Sequence, residues 1–330
     1  MEKAKIDVAV LLIFFVRAEQ TAKVFEQIRL ARPSKLFLYQ DGARPNRKDD
    51  LLGIEACRKV VENIDWECEV YKCYQEKNYG CDPSEYISQK WMFSIVDKGI
   101  ILEDDDVPSQ SFFPFCKELL DKYENDTRVS MICGQNHMEK VEIDSDYFFC
   151  RKHGPIWGWA TWKRFVDLWD PRYIFLSDKR AVNNLMLMGD LWPARLNSYL
   201  AHKKTGREHY EDFVSSTRIF NSMLAIIPSK NMISNIGLSN EGTHYGADLN
   251  QIAPKFRRLL YMKTYDYSFP LKHPINVVND EENARAIDEC MKAGFKEKIF
   301  SFKRRLFNFI KKKWNHYIQF KRMFVLLSLC

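Results

Sequence analysis

The sequence predicts an α/β fold, a largely parallel sheet with helices on both faces. Three observations predict it. Apolar runs of strand length alternate with helical segments through the first half of the chain. One of these runs, Val8–Val16, is nine consecutive apolar residues, as expected of a central strand buried on both faces. Polar residues (Arg17, Asp41 and the acids Glu103 to Asp106) follow directly on three of the runs. That is the sheet edge at which open α/β sheets bind ligands.

In chain order, Ile6–Val16 reads as the first strand. Its apolar run is too short to span a membrane, and Arg17-Ala18-Glu19-Gln20 offers no small-residue cleavage site, so a strand is favoured over a signal-peptide core. Glu19–Ala31 reads as a helix and Lys35–Tyr39 as a strand entering the turn Gln40-Asp41-Gly42-Ala43-Arg44-Pro45. Asp50–Ile64 is helical, Glu67–Cys73 a strand, Pro83–Lys98 a helix, and Gly99–Leu102 a strand. Phe112–Tyr123 reads as a further helix, and Val129–Cys133 and Leu224–Pro228 as strands. Three regions follow from this pass: 1–145 and 146–270, two halves of one domain, and 271–330, a C-terminal extension.

Bulk properties narrow the class. With 330 residues, 46% of them hydrophobic, the chain can bury a full core. Nine cysteines form an odd set without a Cys-x-x-Cys pair, which favours reduced thiols over a disulfide framework or a zinc site. The net charge is +6, but residues 296–322 alone carry +9, so the rest of the chain carries −3. A basic tail on an acidic body argues against nucleic-acid binding by the body.

The run Gly99-Ile100-Ile101-Leu102-Glu103-Asp104-Asp105-Asp106 carries the chemistry. Four carboxylates at the end of a buried strand are costly unless a cation joins them. Mg²⁺ and Mn²⁺ take oxygen ligands and bridge carboxylates to substrate phosphates. A solvated acidic loop is the plain alternative. Farther on, Trp157-Gly158-Trp159 lies in a Trp-rich stretch that serves either as core or as a platform for sugar rings. Glu211-Asp212 reads as helix-dipole partners or as a catalytic base.

Taken in order, these residues resemble the GT-A glycosyltransferases that use nucleotide-sugar donors. They are most similar to bacterial polysaccharide transferases related to the β-1,2-N-acetylglucosaminyltransferase I family. Six segments over residues 6–246 carry the resemblance: Phe14-Phe15-Val16-Arg17, Tyr39-Gln40-Asp41-Gly42, Ile101-Leu102-Glu103-Asp104-Asp105, Phe112-Phe113, Pro155-Ile156-Trp157-Gly158-Trp159 and Glu211-Asp212-Phe213. The resemblance implies a Rossmann-like, mostly parallel GT-A sheet with flanking helices. It implies donor contacts from Arg17, Asp41, Glu103 and Asp104, and a Mn²⁺ or Mg²⁺ held by Asp105, the last acid of the family's DXD triplet, with His244 as a further ligand. It implies acceptor contacts from Trp157, Gly158 and Trp159, and a base at Asp212 with Glu211 as the alternative. The activity implied is metal-dependent, inverting transfer of a hexosyl or N-acetylhexosaminyl group, from a UDP-sugar by preference. The acceptor would be a saccharide hydroxyl in capsule or surface-polysaccharide synthesis. A nucleotidyltransferase would want a Gly-rich loop after the first strand, and residues 14–20 have no Gly. A non-catalytic membrane-associated binding protein would not need intact acids at 103–105 and 211–212.

Residues 296–322 place Ile299, Phe302, Leu306, Phe309 and Ile310 at helical spacing, with Lys298, Arg304, Arg305, Lys311 and Lys312 mostly opposite. A basic amphipathic helix of this kind suits an anionic membrane surface. The expectation is a peripheral protein on the cytoplasmic face of the membrane, where a polyprenyl-diphosphate-linked acceptor would be met.

Overall fold

The computed structural model describes residues 1–187, 192–205, 210–238, 252 and 254–291. His244 and the basic tail lie outside the described residues. The elements in order are β1 (Ile6–Phe14), α1 (Ala18–Ala31), β2 (Pro33–Gln40), α2 (Lys48–Val61), β3 (Glu69–Tyr74), α3 (Cys81–Met92), β4 (Lys98–Glu103) and β5 (Asp106–Pro108). They continue with α4 (Phe112–Lys122), β6 (Val129–Cys133), β7 (Tyr147–Cys150), β8 (Trp159–Trp162), α5 (Lys163–Val166), α6 (Lys179–Met186) and α7 (Trp192–Thr205). The last are α8 (Tyr210–Phe220), β9 (Leu224–Pro228), β10 (Ile233–Asn235), α9 (Pro254–Arg257) and α10 (Glu281–Met291).

The main sheet has eight strands in the order β3-β2-β1-β4-β8-β6-β9-β7. β1, β2, β3 and β4 are mutually parallel, as are β6 and β9. β8 runs antiparallel between β4 and β6, and β7 antiparallel to β9. The sheet is therefore mostly parallel, as the alternating pattern predicts.

β1 shows why its sequence is apolar throughout. Val8, Val10, Leu12 and Phe14 pack into a core with Val24, Phe25 and Ile28 of α1 and with the Phe112–Leu120 face of α4. Ala9, Leu11 and Ile13 pack into a second core with Met92 at the end of α3, Val214 of α8 and Ile287 of α10. Successive residues of a strand point to opposite faces, so a strand between two helical layers needs apolar residues at every position. In α1 the buried residues Thr21, Val24, Phe25, Ile28 and Ala31 form one stripe at helical spacing. The helix stops where Arg32 turns left-handed (φ 48°) and its N–H still donates to the Ile28 carbonyl. Pro33 then starts β2.

Three features depart from the sequence expectation. The first strand ends at Phe14 rather than Val16, because Phe15 N–H turns toward the Asp104 carboxylate. The Gly-Trp segment runs into β8, inside the sheet. Asp106–Pro108 is not loop but forms a two-stranded antiparallel ribbon with β10, with Asn235 opposite Asp106. Among the described residues the eight cysteines are all free, and no helix is long and apolar enough to cross a membrane.

Candidate functional site

Two cavities open near the acidic strand end, and each takes part of the predicted site. The first, about 460 Å³, is lined by Phe15, Arg17, Asp41, Cys81, Glu85 and Glu103, among others. The ends of β1, β2 and β4 deliver Arg17, Asp41 and Glu103, so three side chains distant in sequence meet at one sheet edge.

Arg17 is the cation at the acidic strand end; Arg44, also on the cavity wall, is paired with Asp50. Its guanidinium donates to Asp104 and lies 2.8 Å from Asp105 Oδ2. Burial works to lower its pKa, but Asp104 and Asp105 outweigh that and hold it above its ordinary value. One guanidinium does not balance the acids around it. Burial pushes the Glu103 carboxyl well above the usual carboxylate range, with Glu85 and the neighbouring aspartates adding to it. Glu85 is raised the same way, by burial and then by Asp106. Asp106 is raised by burial and by Asp105; it accepts hydrogen bonds from Gly158 N–H at 2.8 Å and Asn235 Nδ2 at 3.0 Å. Asn235 Nδ2 also donates to Asp105 Oδ1 at 3.1 Å.

Asp41 plays a different part. Its carboxylate accepts from the backbone N–H groups of Gly42, Tyr79 and Gly80 and from Asn78 Nδ2, all at 2.9–3.1 Å. The side chain therefore shapes the 78–80 loop as well as lining the cavity. Gly42 is required there: a Cβ would sit 2.5 Å from the Lys77 carbonyl carbon. The turn-forming and the cavity-lining readings of Asp41-Gly42 describe one arrangement.

The second cavity, about 450 Å³, is lined by Trp157, Arg195, Glu211, Asp212, Ser215 and Arg218, among others. Asp212 is held in place from α7: Ser198 Oγ donates to its Oδ2 at 3.1 Å, and His202 Nδ1 lies 2.8 Å from the same oxygen. Glu211 lines this cavity and adds a minor push to Glu85 and Cys81 in the first, whose pKa values are raised mainly by burial and by other acids.

The Gly-Trp segment divides. Trp157 is half-buried and lines the second cavity. Gly158 (φ +60°) gives its N–H to Asp106, and a Cβ there would meet Ile233 at 2.4 Å. Its role in the structure is to let β8 pass the acidic strand end. Trp159, 1% exposed, packs in the core beside Met131 and Tyr210. An acceptor contact from Trp159 is therefore corrected: its strand position turns the ring inward. Phe112 and Phe113 are likewise core residues of α4. Asn235, Glu85 and Gly237 are the site residues that sequence reasoning missed. Gly237 leaves room for Asp105, since a Cβ there would lie 2.2 Å from Asp105 Oδ2.

Among the described residues no group of three or more His, Cys, Asp or Glu side chains is arranged to hold a metal ion. A hard cation bound through one or two carboxylates and substrate phosphates does not require three protein ligands. The all-oxygen set and its surplus of buried negative charge fit such an ion.

Neither a protein-family model nor a curated protein sequence matches the chain. Several solved structures align over part of it. An apo UDP-glucose pyrophosphorylase aligns at 9% identity and TM-score 0.37, over 69% of this chain and 93% of the other. The glycosyltransferase GlyE of Streptococcus pneumoniae TIGR4 aligns at 10% identity and TM-score 0.32, over 66% of this chain and 44% of the other. The inositol-1-phosphate CTP transferase of T. maritima aligns at 8% identity and TM-score 0.29, over 51% and 75%. Scores this low lend no weight to a functional reading, which rests on the site itself.

Proposed function

We propose that the chain is a metal-dependent, inverting glycosyltransferase, with a nucleotide-sugar donor in the first cavity and a saccharide acceptor in the second. The observation that carries this reading is the pairing of the cavities. One is rich in buried acids, with Arg17 bound to two aspartates and its other arginine, Arg44, paired with Asp50. The other presents a positioned carboxylate, Asp212, beside Glu211.

Arg17 and Asp41 hold the donor, and Glu103 and Asp104 shape its diphosphate end. Asp105 would hold a Mn²⁺ or Mg²⁺, which would supply positive charge to offset that of the leaving diphosphate. Asp212, oriented by Ser198 and His202, takes the proton of the acceptor hydroxyl as that oxygen attacks the anomeric carbon. The nucleoside diphosphate leaves with the electron pair of the old glycosidic bond. With one base and no covalent nucleophile, a single displacement inverts the anomeric centre. Trp157 offers a ring face to the acceptor. UDP-sugars are the favoured donors, and a lipid-linked acceptor, surface-polysaccharide synthesis and attachment of the basic tail to an anionic cytoplasmic membrane face complete the proposal.

The test is a panel of UDP-, GDP- and CMP-sugars incubated with the full chain and Mn²⁺, with or without chelator. Metal-dependent release of nucleoside diphosphate supports the reading. Release of pyrophosphate from a nucleoside triphosphate and a sugar phosphate would replace it with nucleotidyl transfer. Turnover unchanged by chelation would remove the metal.

A further inference from the structure

Helix α8 presents Glu211, Val214, Ser215 and Arg218 to the second cavity. The spacing i, i+3, i+4, i+7 places them on one helical face. The acids lie in its first turn and Arg218 near its end, roughly 10 Å away along the axis.

Arg218 is unusual in its surroundings. It is 2% exposed. Its Nη1 donates to the carbonyls of Cys150 and Arg151, and its Nη2 to that of Lys152. These carbonyls satisfy hydrogen bonds but bring no negative charge. Among the described residues no carboxylate pairs with it, and its Nε has no hydrogen-bond partner. Burial pulls the guanidinium below its ordinary pKa; Cys150 and Cys133 oppose this, and the nearby charge of Arg195, which lines the same cavity, adds to it. His137, also on the cavity wall, has a buried Nδ1 with no partner. A buried guanidinium without a counter-ion costs free energy that a bound anion would recover, and the planar fork suits an oxyanion.

We infer that the second cavity is built for an acceptor that carries an oxyanion, a carboxylate or a phosphate, received by Arg218 and Arg195 while its reacting hydroxyl lies toward Glu211 and Asp212. This deepens the transferase reading and rests on it for the word acceptor. The anion site itself stands on Arg218 and the cavity. An acceptor so held is positioned at two ends, and a neutral sugar of the same shape would leave the guanidinium uncompensated.

The experiment titrates the full chain with glucuronic acid, a glucose phosphate and glucose, followed by calorimetry and by tryptophan fluorescence. Both charged sugars are expected to bind about tenfold tighter than glucose, the scale of one charge-assisted contact. A preference confined to one of them names carboxylate or phosphate as the source. Equal affinity for all three overturns the inference. Arg195→Gln is expected to remove most of the preference, and Arg218→Lys part of it. If the Arg218 variant does not fold, the wild-type comparison and Arg195→Gln decide. Nucleotide release from the UDP-sugar is measured on the same preparation. Release without anion preference leaves the transferase standing and removes this site, and preference without release does the reverse.

Discussion

The two cavities are of nearly equal volume and differ in how their charges are paired. On the first, Glu85, Glu103 and Asp104 line the wall with Arg17, which also reaches Asp105, while Arg44 pairs with Asp50. The second keeps Arg218 buried with no carboxylate partner among the described residues. The first has more buried acids than cations. The second holds Glu211 and Asp212 as well as Arg195 and Arg218, yet Arg218 stands outside any carboxylate pair among the described residues. The groups left unpaired say what each pocket accepts.

The largest expected effect tests the carboxylates of the second cavity. Asp212→Asn should lower transfer by about 10²–10⁴-fold, the usual worth of a positioned base, and leave donor binding intact. Steady-state rates beside donor titrations check it. If Asp212→Asn stays active and Glu211→Gln does not, the base is Glu211.

The next contrast uses the two tryptophans. Trp159→Ala should cost about 3–5 kcal/mol of stability by emptying a core site. Trp157→Ala should raise the KM for acceptor with little change in denaturation midpoint. Urea unfolding and acceptor kinetics on both variants separate them. Reversed outcomes would place the acceptor on the wrong side of β8.

Arg17→Met leaves Asp104 and Asp105 without their shared partner and should destabilise the fold by about 3 kcal/mol. Added Mn²⁺ should restore part of that loss in thermal unfolding, because the missing charge is positive. A full loss that Mn²⁺ leaves untouched would mean that the first cavity takes no cation.

A smaller effect belongs beside the second cavity. Burial holds His153 down to about 4, against the opposing influence of Asp288, whose Oδ1 lies 2.9 Å from its Nε2. Its folded pKa lies below the unfolded value, so the stability it contributes is complete above about pH 6.5 and is lost as the pH falls toward 4. His153→Gln should flatten the acid limb of the stability curve by about 2 kcal/mol, read from urea midpoints between those pH values. An unchanged limb would assign acid sensitivity elsewhere.

The legibility of the two cavities differed for the same reason as their chemistry. β1, β2 and β4 are apolar runs that end in charged residues, and a strand buried on both faces writes itself into sequence as continuous hydrophobicity. Arg17, Asp41 and Glu103 were legible from that pattern alone. β7 and β8 have four residues each and β5 and β10 three, too short for a period to register. Trp157 and Trp159 differ by two positions in sequence but one faces a cavity and the other the core, a distinction set by β8 entering the sheet. Asn235 and Gly237 carry no local signal. Their place beside Asp105 and Asp106 depends on a pairing across the chain, and Arg218 reads in sequence as an ordinary surface charge near a helix end.

The β5–β10 ribbon has a consequence for how the chain reaches this state. Asn235 and Asp106 are 129 residues apart in sequence, so their pairing is a contact of long separation, of the kind that slows folding. We predict that Asp105 and Asp106 meet Asn235 only after the sheet between them exists. The Ile236 N–H, which donates to the Asp105 carbonyl at 2.8 Å, should then gain hydrogen-exchange protection together with the core of β6 and β9. Earlier protection at Ile236 would mean that the ribbon nucleates the fold. Late assembly has a use: the carboxylates stay hydrated through most of folding, and the cost of burying them is met only when a finished framework can bear it.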